Sequence, residues 1–508
     1  MKLRFLILSL CLTISVVAYS QLDKPLRAEI NVPSGTYPFT LINLENKGVL
    51  VHTATSDVNR NSQNSSIQDF LFYDVFLRQT WQIKTRFPVE YAVVGHTLEA
   101  EQLHIILRNQ VYRNTHTPTF LMNVNLLNGE FTIDTLFSLA KVPTFVGFVH
   151  NSRVWLVQVD RSECSVNTAK IGDSIIFKYD FPKFSSQELV DAALDTISQK
   201  LYVLYGDDSR RNNFFTLTVF DTSANLLMSK EVRLNDENRP IHAKLHLDTN
   251  GKLFIYGTYN LTSERQRIET MDRVTASAGF FSMGFDGSSM RLLSMQNYVD
   301  FDSVDARISP DQSQVLRQKR HRRQHPFSLE ALVPIQLKTI GDNLLMVGES
   351  VTREFRTTTR TYYDYYGRVI PYTTTIFDGY RFNDAFIWHL DSNGNAYRNY
   401  VSDISMALNS KTLLNKVALA VNKNETVILF ANATNVFYKS LRPHEDSHHT
   451  LRLQPLHKSD RIVEDYDSRI LNWYDSHFLV CGYQTIQNNT LQGANRRVVF
   501  YLSKVSLD

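Results

Sequence analysis

Eight times along the chain a short apolar run is followed by a polar turn and then by a second run rich in β-branched and aromatic residues, the pattern of a β-hairpin. The first instance pairs Phe39-Thr-Leu-Ile with Val49-Leu-Val, and the fifth pairs Lys244-Leu-His-Leu with Lys252-Leu-Phe-Ile-Tyr across Asp248-Thr-Asn-Gly. In that fifth turn the Asn-Gly pair is expected to supply positive φ for a tight hairpin. Anchored at Gly48, Gln102, Arg153, Lys200, Lys252, Asn343, Thr426 and His477, the repeats are spaced by 54, 51, 47, 52, 91, 83 and 51 residues. A third strand follows each hairpin, for example Phe120-Leu-Met, Ile175-Ile-Phe, Phe280-Phe-Ser-Met and Phe386-Ile-Trp. A more polar fourth usually comes after it, as in Leu226-Leu-Met.

Four antiparallel strands in each ~40 to 50 residues make the blade of a propeller. The expected fold class is all-β, a β-propeller of about eight four-stranded antiparallel blades. Seven blades is the alternative count, and stacked sandwiches or an irregular β-solenoid are the competing architectures. The last repeat ends soon after its third strand, while Leu26-Arg-Ala-Glu-Ile-Asn-Val stands unpaired ahead of the first hairpin. That segment is expected to become the missing outer strand and close the ring, removing exposed sheet edges.

The N-terminus changes the picture of where the chain works. Lys2 and Arg4 precede an apolar run from Phe5 to Val17, and Ala18-Tyr19-Ser20 offers small residues where a signal peptidase reads. Residues 1–20 therefore read as a signal peptide and 21–508 as one propeller domain. The apolar run is too short to span a membrane, which takes ~20 residues, so no transmembrane segment is expected. Cys11 follows Leu10 within the run rather than marking a lipoprotein cleavage point. Without the leader the formal charge falls from +3 to +1, which gives no reason to expect nucleic acid as a partner. Only Cys164 and Cys481 remain, too few for a disulfide framework. These features favour an exported bacterial protein, periplasmic, outer-membrane-associated or secreted.

Residues 384 to 396, Asp-Ala-Phe-Ile-Trp-His-Leu-Asp-Ser-Asn-Gly-Asn-Ala, resemble the segment found in bacterial SBBP-type propeller repeats, and Gly279 to Arg291 does so loosely. The resemblance implies a fold and no particular activity. Trp-Asp repeats, kelch double glycines and sialidase Ser-x-Asp-x-Gly boxes are absent.

The two long spacings mark insertions at about 300–332 and 353–382. The second reads as a projecting β-hairpin with its tip near Tyr365 to Arg368. Its tyrosines and arginines, residue types favoured at binding hot spots, make Tyr362, Tyr363, Tyr365, Tyr366, Arg368, Tyr372, Tyr380 and Arg381 the candidate binding residues. Arg356 and Arg360 add charge beside them. The alternative is a hairpin folded over the propeller with its tyrosines capping the core. In the first insertion Arg317-Gln-Lys-Arg-His-Arg-Arg-Gln-His325 reads as a solvated basic loop or a grip for an acidic partner. His444, His448 and His449 form the one cluster with the composition of a metal site, yet lack a zinc-binding order and fall where an exposed loop is expected. Asp248-Thr-Asn-Gly and Asp391-Ser-Asn-Gly look like calcium-loop fragments but are accounted for by turn chemistry. No nucleophile elbow is found, and no metal or other cofactor is expected.

The leading functional expectation is a non-enzymatic binding or scaffold propeller that recognises a protein or glycan through the Tyr/Arg-rich hairpin. The rival is a glycan-directed hydrolase with carboxylates at the mouth of the channel.

Overall fold

The computed structural model describes residues 26–507 apart from 34–37, 58–64, 88–90, 110–117, 138–143, 161–162, 174–175, 182–186, 208–212, 263–276, 302–331, 341–342, 405–412, 423–424, 433, 442–447 and 489–495. The expected leader, most of the first insertion with its basic run, and His444 therefore lie outside the described residues. The chain is a β-propeller of eight four-stranded antiparallel blades. The first seven occupy residues 40–87, 91–137, 144–180, 187–232, 238–297, 332–403 and 417–452. Residues 460–506 supply three strands of the eighth, and the N-terminal strand Arg27–Asn31 completes it.

That last pairing is the one expected from the truncated final repeat. Arg27 lies opposite Ser503 and Asn31 opposite Val499, and Leu26 and Val32 extend the ladder with bonds to Lys504 and Val498. Among the described residues, eight clusters of buried side chains are each drawn from two consecutive blades and run from blade to blade round the molecule. One of them joins the eighth blade to the first through Trp473, Leu479, Phe500, Val51 and Leu71. Burial of one sheet face against the next is the main favourable term in such a fold.

The blade interfaces are also stitched by polar groups. Three of the four tryptophans donate the indole N–H across one: Trp81 to the Leu126 carbonyl, Trp388 to the Gln296 side chain and Trp473 to the Gly48 carbonyl. Inner strands of the second and third blades approach so closely that a Cβ on Gly95 would lie 2.0 Å from the Gly147 carbonyl oxygen, so only glycine fits there. Glu349, fully buried in the sixth blade, accepts the backbone N–H of Lys416 at 2.9 Å and of Val417 at 3.2 Å, anchoring the inner strand of the seventh.

Turns between strands share one chemistry. The Oδ1 atoms of Asp74, Asp221, Asp248 and Asp391 each accept the backbone N–H groups two and four residues ahead. The residue three ahead adopts positive φ, namely Leu77, Ala224, Gly251 and Gly394. In the fifth blade Gly251 alone, not the Asn250–Gly251 pair, takes this conformation, so the turn is one residue longer than the two-residue hairpin expected. The carboxylates at 248 and 391 are taken up by the backbone in these turns.

The third blade departs from the sequence reading. Its third strand is Glu163–Lys170, and the run at 176–180, read as the third, is the fourth. Glu-Cys-Ser-Val-Asn-Thr-Ala-Lys shows little apolar character, yet Asn167 and Thr168 are buried with Cys164 and Val166 because neighbouring strands cover both faces. Asn167 Nδ2 is satisfied by Gln158 at 3.0 Å.

Two outcomes test this architecture. Cys164 and Cys481 are buried, unpaired and on the third and eighth blades, so residues 21–508, denatured and unreduced, should titrate as having both thiols free; a chain with neither would contradict this blade order. Stability should also bend with pH in opposite senses. Burial pushes the Glu349 carboxyl up to about 7 from 4.5, so its contribution is full below 4.5 and is lost as pH rises through about 7. Burial pushes His52 and His389 down to about 4 from 6.5, so theirs is full above 6.5 and is lost as pH falls through about 4. Glu349→Gln should cost about 1–3 kcal/mol at low pH, because an amide NH2 then faces backbone donors, and should abolish the loss between pH 4.5 and 7 while leaving the acid limb. Calorimetric midpoints against pH measure both; an unchanged profile in the variant would exclude Glu349 as the source.

Candidate functional site

The feature that the ring does not account for is a two-stranded ribbon leaving the sixth blade. Its strands, Asn343–Tyr363 and Val369–Leu390, pair along their whole length. Neighbouring strands flank them only up to Ser350 and from Asp384 onward. Thr357-Thr-Thr and Thr373-Thr-Thr favour extended backbone through branching at Cβ, which explains why the strands run on past the blade.

The tip, as expected, lies at Asp364-Tyr-Tyr-Gly-Arg368, and it repeats the turn chemistry of the blades. Asp364 Oδ1 accepts the N–H of Tyr366 at 2.9 Å and of Arg368 at 2.8 Å, and Oδ2 accepts Arg368 Nε at 2.7 Å. Gly367 has φ +73°, the left-handed conformation that favours glycine. The backbone N–H of Arg368, then its side chain and the N–H of Tyr366, hold the Asp364 carboxyl below the usual carboxylate range. The tip is thus a defined turn.

Cross-strand register sorts the side chains onto two faces. One carries Phe355 opposite Phe377, Thr357 opposite Thr375, Thr359 opposite Thr373, Thr361 opposite Pro371 and Tyr363 opposite Val369, with no charge. The other carries Arg356 opposite Ile376, Thr358 opposite Thr374, Arg360 opposite Tyr372 and Tyr362 opposite Ile370. Both faces stand in solvent. At the tip Tyr365 is 97% and Tyr366 78% exposed, their rings are edge to face at 5.6 Å, and the Arg368 guanidinium lies 5.4 Å from the Tyr366 ring centre.

Six of the eight candidate residues, Tyr362, Tyr363, Tyr365, Tyr366, Arg368 and Tyr372, share this free ribbon. The other two sit at its root. Tyr380 is 3% exposed, in the core between the sixth and seventh blades, so its ring belongs to the scaffold. Arg381 lies 3.7 Å from Glu354 where the ribbon leaves the blade. Exposed Phe355, Ile376 and Phe377 were not among the expected residues; the alternation along Phe355 to Tyr363 carried the signal.

The remaining candidates are taken up by structure. His448 opens the strand His448–Arg452, opposite Lys439, and His449 stacks on Tyr438 at 4.8 Å, so these two lie in a strand rather than in the loop expected for them. No group of three His, Cys, Asp or Glu among the described residues is placed to hold a metal. On inner strands, Asp191 accepts from Lys244 and the Leu245 N–H, Asp460 from Arg497 and Asn488, and Asp465 from Ser468 and Gln484. Glu99 accepts the Asn151 N–H at 2.9 Å, with His104 and His150 each 3.8 Å away. Burial pushes the Cys164 thiol up to about 12, far from the range of a reactive thiolate. No helix among the described residues is long and apolar enough to cross a membrane.

The chain matches no protein-family model and no curated protein sequence. Among solved structures it is similar to the Dos1 propeller, at a TM-score of 0.40 and 9% identity over 82% of this chain and 91% of that one. It is similar also to the β-propeller domain of the Trilobed protease from Pyrococcus furiosus, with a TM-score of 0.36 and 9% identity over 82% and 96% of the two chains. For the polysaccharide lyase Uly1 the TM-score is 0.38 and the identity 9%, over 82% and 90%. At these values the fold assignment rests on the strand pairing described above, not on the likeness.

Proposed function

We propose that this protein is a binding propeller, exported from the cytoplasm of a bacterium, whose ribbon at 353–378 docks into a protein partner. The observation that carries the reading is the exposure of the ribbon's aromatic and arginine side chains on a two-stranded element that the ring does not need. An isolated ribbon is only marginally stable in water, and large exposed apolar surface on a soluble protein marks an interaction site. Tyr362, Tyr372, Arg356 and Arg360 share one face, and Tyr365, Tyr366 and Arg368 share the tip, combinations that supply both contact area and directional hydrogen bonds. The inner-strand carboxylates described above hold strands together, which favours binding over hydrolysis at the channel. The likeness of residues 384–396 to SBBP-type repeats belongs to the same proposal, as do the leader at 1–20 and the setting in the cell envelope or beyond it.

Replacing residues 357–375 with a short Gly-Ser bridge should leave the β-rich circular dichroism spectrum and the melting cooperativity intact, because the ribbon contributes nothing to the ring beyond Tyr380. The same variant should lose its partners in a pull-down from the native envelope or medium. Retention of the same partners would move the site to the channel mouth, and loss of glycan-array binding with no protein captured would make the ligand a glycan. Within the ribbon, replacing Tyr365 and Tyr366 together by Ala should weaken association by about 2 kcal/mol or more, roughly thirtyfold.

A further inference from the structure

The two edges of the ribbon differ in a way that recognition by its faces does not explain. Beyond the blade, neither edge has a strand neighbour among the described residues. Over Phe355–Tyr363 the edge formed by the first strand carries Arg356 and Arg360. The edge formed by the second, Val369-Ile-Pro-Tyr-Thr-Thr-Thr-Ile-Phe377, carries no charge at all. Soluble proteins guard exposed edges with charges, prolines or bulges, since a bare row of N–H and C=O groups templates another strand. Here Pro371 is the single guard, and the segment Tyr372–Phe377 that follows has strong β preference with no charge, proline or glycine.

We propose that the edge Val369–Phe377 pairs antiparallel with the same edge of a second copy of this chain. The two ribbons then form a four-stranded sheet about a two-fold axis through Thr373, perpendicular to the sheet. The segment is self-complementary in that register. Ile370 falls opposite Ile376 of the second copy, Tyr372 opposite Thr374, and Val369 opposite Phe377, so apolar residues meet at both ends and threonines in the middle. Cross-strand pairs of this kind are the unit that stabilises a sheet.

Charge decides between the edges. Pairing through the second strand leaves the arginine-bearing strands outermost, three strand spacings or ~14 Å apart, beyond the ~8 Å screening length at physiological salt. Pairing through the first strand would set arginines of the two copies against one another. Because a perpendicular two-fold preserves faces, both arginine faces end on the same side of the joint sheet. The contact is one ribbon edge, at the small end of specific interfaces, so a dissociation constant on the order of micromolar is expected. The inference goes beyond recognition by the ribbon's faces and rests only on the ribbon standing free.

Sedimentation velocity on the mature chain, across about 1 to 200 μM, should show a monomer–dimer equilibrium. Thr373 is exposed, so Thr373→Lys and Thr373→Glu should each fold normally while placing like charges opposite one another across the axis, weakening association at least tenfold. An equimolar mixture of the two variants should recover the dimer. Arg360→Ala, on the outer strand, should dimerise as the unaltered chain does. A chain that remains monomeric throughout, a Thr373→Lys variant that dimerises undiminished, or a mixture that fails to recover the dimer would each overturn the proposal. None of these outcomes bears on partner capture by the ribbon.

Discussion

Everything in this molecule depends on a contact between residues more than four hundred positions apart, the seam inside the eighth blade where the N-terminal strand joins the last one. Arg27–Asn31 must find Val499–Ser503 before the eighth blade has an outer strand. The entropy of closing so long a loop grows only slowly with its length, but it falls due before the contacts it permits are made. The seam is correspondingly rich in interactions. Arg27 reaches Gln484 at 2.6 Å and lies 4.6 Å from the Tyr501 ring centre, while Glu29 receives Arg497 at 2.9 Å. On the side of the first blade, Lys504 donates to the Tyr474 hydroxyl at 2.6 Å and sits within 6 Å of the ring centres of Phe76, Trp473 and Tyr474, inside the range of cation–π attraction.

Once the ring is closed, its two ends become inequivalent. In a four-stranded antiparallel blade the first and third turns leave from one end, and the second turn and the link to the next blade leave from the other. The first end is where the short aspartate turns recur, their carboxylates satisfied by their own backbone. The ribbon is the second turn of the sixth blade and therefore rises from the other end. The ribbon can vary there without loss of the core, since connections rather than blades are free to change.

Buried polar groups show the same division of labour. Asp191 and Asp465 on inner strands, and Glu349 on the second strand of the sixth blade, are positioned as reactive carboxylates often are, largely out of solvent, yet each is occupied by hydrogen bonds that join strands or blades. A desolvated carboxylate without such partners would cost several kcal/mol. The exposed ribbon, by contrast, holds Arg356, Arg360 and most of its tyrosines in solvent.

The eightfold repeat was legible in the sequence because each hairpin satisfies local rules, namely apolar strands, an aspartate or glycine turn, and a second strand rich in branched and aromatic residues. The closing strand was legible because a repeat that lacks its fourth strand leaves one strand to be supplied. The ribbon and its tip were legible for the same local reason, from threonines, tyrosines and Gly367. What the sequence could not show was which faces would be covered. Glu163–Lys170 looks polar, and only the strands packed on both its faces make it core. Tyr380 and Tyr372 are the same residue type eight positions apart, yet the seventh blade buries one while the other is 58% exposed. The roles of Glu349 and Asp191 depend on strands 67 and 54 residues ahead whose N–H groups arrive only when the blades pack. Local propensity acts within a hairpin, whereas burial is set by neighbours that chain closure brings together.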